Sequence, residues 1–338
     1  MKNKLKKILP SVEKPTRYIG TEFNSVHKDL NGINIRFAFC FPDVYEVGMS
    51  HLGMKILYHL LNSVDDIYCE RVFAPWVDME EKMRENNIPL FSLETMSPVS
   101  DFDFIGFTLQ YEMSYSNIVN MLKLANVAPK SCDRKEGDPF VCFGGPCAYS
   151  SEAIADFADF YMLGEGEEVM IEVMDAYREW KKRGGTRFEF LKEISQIGGI
   201  YVPSFYEISY NDDGTVKAID TKYDFVPKTV KKRIIADMDK VFYPDRIIVP
   251  FGEIVHDRIM LEMFRGCIRG CRFCQAGMIY RPVREKSKET LLKQAEALLK
   301  NTGYEEISLS SLSTSDYRDL KDFTTELIKL TEKNKVNL

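Results

Sequence analysis

No stretch of this sequence approaches the roughly 18 consecutive apolar residues that a membrane-spanning helix requires. The longest apolar runs, such as Phe37–Phe41, are far shorter, so no span is expected. The N-terminal MKNKLKKIL is basic, but Pro10 and the charged residues after it leave no apolar centre for a secretory signal, and the cytosol is the expected compartment. Positive charge is not in surplus either. Lys and Arg number 45 against 51 Asp and Glu, a formal net charge of −6, which argues against a dedicated duplex-binding protein and leaves room for a local basic site. Internal repeats and low-complexity tracts are missing. So are GxGxxG and GxxxxGK[ST], so ordinary dinucleotide or P-loop binding is not supported.

What is present is ordinary globular material. At 45% hydrophobic and 28% charged, the 338 residues can bury real cores, and a length prior of about 150 residues per domain gives about two domains. In a reducing compartment the eight cysteines are free thiols or ligands rather than a disulfide framework.

After an N-terminal extension (1–30), apolar strands alternate with amphipathic stretches over 31–183. Strands are expected near Ile35–Phe39, Ile67–Phe73, Phe104–Thr108, Phe140–Phe143 and Phe160–Leu163, and helices near Ser50–Asn62, Trp76–Glu85, Ser114–Ala125 and Glu167–Lys182. This alternation predicts an α/β, doubly wound parallel sheet. Gly184 and Gly185 interrupt it, and 184–257 reads as a proline-containing connector with a β-hairpin at Phe205–Tyr210 and Val216–Ile219. From Arg258 a second βα pattern starts: strand Ile259–Met263, a Cys-rich loop, helix Ser287–Asn301, strand Ile307–Leu312, helix Leu320–Lys333, and the first residues of a third strand at Val336–Leu338. Residues 258–338 hold only the beginning of such a domain, since two parallel strands do not make a stable sheet alone.

Cys267, Cys271 and Cys274 form CxxxCxFC directly after the first strand of that second domain. Random placement of the cysteines would give this spacing in roughly 0.004 cases, so the spacing reflects selection. Three thiolates on one loop can hold three corners of a four-iron four-sulfur cluster and leave the fourth iron open to a small molecule. Zinc usually closes with four ligands from paired modules; no second pair follows, and His256 is the nearby candidate for a fourth ligand.

The run LEMFRGCIRGCRFCQAGMIYRPVR (Leu261–Arg284) resembles the radical S-adenosylmethionine (radical SAM) superfamily. The resemblance implies a (β/α)6 partial barrel in which Cys267, Cys271 and Cys274 hold the cluster, Phe273 packs near the adenine, and the open iron chelates S-adenosylmethionine. Reductive cleavage of the sulfonium would then give methionine and a 5'-deoxyadenosyl radical that abstracts hydrogen from a substrate. Arg265, Arg269, Arg272, Arg281 and Arg284 crowd the loop, where cations offset cluster charge or grip a phosphate, and a solvated basic face is the plain alternative. Ser310 and Ser313, at the end of the second strand, are candidates to line the cofactor pocket. The Gly-Gly-Glu segment common in the superfamily at this point is missing.

A doubly wound domain before such a core resembles the cobalamin-binding subgroup, whose DxHxxG loop supplies an axial histidine. Here Asp43, Tyr45 and Gly48 hold that spacing, with tyrosine in the histidine's place. Cobalamin would bind without a protein axial ligand or not at all. Gly144 and Gly145, after the fourth strand, allow close approach of a ligand or serve a tight turn, and the GEGEE run (Gly164–Glu168) opens a helix. The expected protein is therefore a radical SAM enzyme, or the N-terminal portion of one, that needs a reducing electron donor. RNA or a ribosome-associated target is favoured over a small molecule on the arginine-rich loop, no membrane partner is expected, and the rest of the barrel would follow Leu338. The alternative is a non-catalytic iron–sulfur or zinc redox sensor with a ligand-binding first domain.

Overall fold

A computed structural model describes residues 1–338. Its first sheet is built from β1 (Ile35–Phe41), β2 (Ile67–Phe73), β3 (Phe104–Thr108), β4 (Phe140–Gly144), β5 (Phe160–Met162) and β6 (Ile200–Tyr201). The spatial order is β2-β1-β3-β4-β5-β6, with β1 to β5 parallel and β6 antiparallel at the edge. The parallel strands are buried on both faces, so they read as continuous apolar runs rather than alternating ones. The flanking helices are α1 (Lys2–Ile8), α2 (Tyr45–Gly48), α3 (Leu52–Asn62), α4 (Val77–Glu85), α5 (Tyr115–Leu124), α6 (Gly166–Arg183) and α7 (Arg187–Ile194).

α7 and β6 fall in the segment that the sequence reading assigns to a connector. α7 starts with a capping box, Thr186 with Glu189, which fixes its first turn. β6 spans only two residues, too short for period to reveal it. The hairpin of the connector forms as β7 (Tyr206–Tyr210) and β8 (Val216–Thr221).

The second sheet pairs β9 (Ile259–Glu262) in parallel with β12 (Ile307–Ser310), and β10 (Phe264–Arg265) with β11 (Arg284–Glu285) forms a short ribbon around the Cys-rich loop. α8 (Ala276–Ile279) follows that loop, and α9 (Lys288–Thr302) and α10 (Leu320–Asn334) cover the sheet. Beyond α10, Asn337 bridges Glu306 in parallel, so the chain returns to the edge of β12 as a third strand begins. No helix is long and apolar enough to cross a membrane.

Two cores result, one of 63 buried residues around the first sheet and one of 12 around β9 and β12. So small a second core leans on the first unit, and the N-terminal segment staples the two. Phe23 bridges Val249, and the Asn24 side-chain amide donates to the Ile247 and Asn301 carbonyls at 3.0 and 2.8 Å. His256 N–H donates to Ser50 Oγ at 3.0 Å.

Candidate active site between the two sheets

In an open α/β sheet the ligand crevice lies at the carboxyl ends of the strands where strand order reverses. Here that point falls between β1 and β3, and it opens onto the carboxyl ends of β9 and β12. Between them is a cavity of about 460 Å³, within the size range of small-molecule sites. Phe37, Phe39, Phe107 and Phe143 contribute apolar wall from the first sheet, Met260 from β9 and Phe264 from β10. Gly145 is forced at its rim: its φ is +96°, and a Cβ there would stand 2.8 Å from the Leu109 carbonyl oxygen.

The polar floor is an ion group that crosses between the two sheets. Arg265 binds Glu262 at 2.8 Å and Glu167 at 2.5 Å, Arg284 binds Glu165 at 2.6 Å, and buried Lys286 faces Glu262 at 3.4 Å. Burial works against the Glu262 carboxylate, but Arg265 and Lys286 hold it below its ordinary range. The acids of GEGEE therefore do more than favour a helix N-terminus: they fasten the first sheet to the strand that leads into the Cys-rich loop. Arg269 pairs with Asp316, so three of the five loop arginines are committed to carboxylates. Arg272 and Arg281 make no ion pair.

His51 also lines the cavity. Its Nδ1 accepts from the Met54 N–H at 3.1 Å, which caps α3. In the neutral ring the proton therefore sits on Nε2, and His51 is one of the residues that line the cavity. Burial pushes the ring down to about 4. His59, one helix face further along and 8% exposed, is also pushed down to about 4, by burial and then by Arg71.

The sign of the resulting pH dependence follows. Both folded values lie below the roughly 6.5 of a free histidine, so the unfolded chain binds more protons between pH 6.5 and 4, and this stability is complete above that window and lost on acidification through it. A variant carrying His51→Asn and His59→Gln is expected to lose less stability than the parent between pH 7 and 4.5, by at most about 1.4 kcal/mol per pH unit per histidine. Urea midpoints at the two pH values check this.

The candidate residues from the sequence separate into groups. Gly144, Gly145 and Ser310 line the cavity. Ser313 does not: its hydroxyl donates to Asp316 at 2.5 Å. Asp43 accepts from Tyr111 Oη at 2.8 Å at the sheet's edge, and Gly48 packs against Phe73 and Phe41. Tyr45 is buried away from the cavity and donates to Glu22 at 2.8 Å; burial and that carboxylate push its phenol up. Phe273 is 93% exposed. His51, Gln110, Glu167, Arg265 and Tyr280 line the cavity without having been singled out for it, because they come from elements distant in sequence and share no local spacing.

Cys267 and Cys274 are half-buried and Cys271 is exposed, all as free thiols. Their loop leaves the cavity wall at Gly266, whose φ of +91° and lack of room for a Cβ, 2.7 Å from the Pro282 carbonyl oxygen, set a sharp turn just before Cys267. The thiols are not drawn together around a single metal ion.

Residues 53–203 match the family described as radical SAM proteins, N-terminal, and residues 261–338 match the radical SAM superfamily. The chain belongs to the radical SAM superfamily. It is 26% identical over 289 residues to the uncharacterized protein MJ0966 of Methanocaldococcus jannaschii, covering 83% of this chain and 50% of that one, so it spans about half the length of this curated relative. Among solved radical SAM structures it shares its fold with the methyltransferase TsrM of Kitasatospora setae. The TM-score is 0.51 at 12% identity for TsrM with tryptophan substrate and the SAM analogue aza-SAM, and 0.52 at 10% identity for TsrM with cobalamin and a [4Fe-4S] cluster; each match covers 89% of this chain and 52% of TsrM.

The donor set fits the cluster that radical SAM membership implies. Such a cluster takes thiolate donors, and Cys267, Cys271 and Cys274 are three free thiols on one accessible loop. Tyr45 is turned into the core, and His51 spends Nδ1 on its helix.

Proposed function

We propose that this chain carries the cluster loop and, between its two sheets, the substrate cavity of a radical SAM enzyme. The supporting observation is that the three-cysteine loop springs, at Gly266, from the wall of a cavity shared by the two sheets. When bound, the cluster supplies one electron, delivered from an external reductant, for cleavage of S-adenosylmethionine to methionine and a hydrogen-abstracting 5'-deoxyadenosyl group.

The chain's own residues then have definite tasks. Cys267, Cys271 and Cys274 hold the cluster. Arg265, clamped by Glu262 and Glu167, fixes the strand end from which the loop departs. The phenylalanine walls exclude water from a reactive intermediate. His51, in the cavity lining, holds a proton on Nε2 and remains neutral near pH 7. The floor charges neutralise one another, which supports a substrate portion that is uncharged and largely apolar. An RNA or ribosome-associated target is supported only by Arg272 and Arg281, the loop arginines without carboxylate partners.

The test is chemical. Protein reconstituted with iron and sulfide without air, then given dithionite and S-adenosylmethionine, is expected to release 5'-deoxyadenosine and methionine. Iron binding with no cleavage product would favour the redox-sensor reading, and zinc in place of iron would eliminate the radical reading.

A further inference from the structure

The Cys-rich loop has one side-chain tether to the rest of the fold. From Gly266 to Gln275, Arg269 is the residue whose side chain makes a hydrogen bond or ion pair outside the loop. Its Nε donates to Asp316 Oδ2 at 2.7 Å and its Nη2 donates to Asp316 Oδ1, the bidentate geometry that gives a guanidinium–carboxylate pair its direction. Asp316 sits in the turn after β12, its side chain 12% exposed, and is braced from the other side by the Ser313 hydroxyl at 2.5 Å.

The same arginine reaches a thiol. Its backbone N–H donates to Cys267 Sγ at 3.5 Å. Hydrogen bonds to cluster sulfurs and nearby charge are the means by which a protein sets a cluster's reduction potential. An isolated exposed ion pair contributes little stability. This pair is therefore better explained by what it orients than by what it adds to folding.

We propose that Arg269 and Asp316 are a positioning pair: together they hold the cluster loop against the end of β12 and keep the Arg269 amide on the Cys267 sulfur, which sets the potential of the bound cluster. The inference rests on the cluster reading above. With the pair intact, the carboxylate offsets the guanidinium charge beside the cluster. Removing the carboxylate alone leaves that charge uncompensated, and removing the guanidinium alone leaves a negative group there.

The experiment is a redox titration, followed by electron paramagnetic resonance, of reconstituted parent, Asp316→Asn, Arg269→Gln, Arg269→Lys and the exchanged pair Arg269→Asp with Asp316→Arg. The midpoint is expected to move to more positive potential in Asp316→Asn and to more negative potential in Arg269→Gln. Arg269→Lys is expected to lie nearer the parent than Arg269→Gln. The exchanged pair is expected to recover iron retention that Arg269→Gln loses on gel filtration. Urea midpoints should stay at the parent value throughout. A purely structural pair would alter iron retention equally in both single variants without splitting the potentials in opposite directions, and that result overturns the proposal. Equal potentials and full iron in every variant would also overturn it while leaving the cluster reading intact. A parent protein that takes up no iron would overturn both.

Discussion

Alanine at Cys267, Cys271 or Cys274 is expected to reduce bound iron sharply and S-adenosylmethionine cleavage to background, while the fold survives. These thiols stand half-buried or exposed on a loop and make no contact on which either core depends, so each change should move folding stability by no more than about 0.5 kcal/mol. The contrast is with Cys40, Cys69 and Cys142, which are buried in the first sheet. Alanine there removes packed sulfur and should cost on the order of 1 kcal/mol, leaving iron uptake unchanged. Iron analysis and urea unfolding on the same six variants separate the two groups. Undiminished iron and cleavage in the loop variants would remove the cysteines from the chemistry.

The largest stability effect is expected at Arg71. This side chain on β2 is 1% exposed, and its guanidinium is shared between two buried carboxylates: Nε donates to Glu94 at 2.7 Å, and Nη1 and Nη2 donate to Glu22 at 3.0 and 2.8 Å. Tyr45 adds its hydroxyl to Glu22. Replacing Arg71 with Met leaves two carboxylates without their counter-charge in a dry environment, which should destabilise by about 3–5 kcal/mol. Replacing the three charges together by Arg71→Met, Glu22→Gln and Glu94→Gln should recover most of that loss, because the remaining cost is hydrogen bonding rather than unpaired charge. Urea unfolding of the single and triple variants measures both. Because Glu22 lies in the N-terminal segment that also contacts Ile247 and Asn301 through Asn24, Arg71→Met should also loosen the join between the two sheets, seen as faster proteolysis between residues 227 and 257.

The buried strands β1 to β4 were readable because a sheet covered on both faces turns each strand into an apolar run with turn residues at its ends. The three cysteines stand out in the sequence because their spacing on one loop is local. What escaped the sequence was long-range. β6 has two residues and is defined only by its partner, Tyr161 and Met162 of β5. Tyr45 stands at a spacing that suggests a ligand loop, but a buried arginine and glutamate drew it into the core. Glu165 and Glu167 suggested a helix start, and their arginine partners lie in the β10–β11 ribbon, far along the chain. His51 caps α3, and that it also lines a cavity follows only from how the two sheets meet.

On the function proposed above, three thiolates hold a cluster with an open iron that S-adenosylmethionine can reach. The most direct measurement is the electron paramagnetic resonance spectrum of the anaerobically reconstituted, reduced protein with and without S-adenosylmethionine. A four-iron signal whose g-values shift when the sulfonium compound is added is the predicted result. A signal indifferent to it, or a protein that binds no iron, would contradict the account.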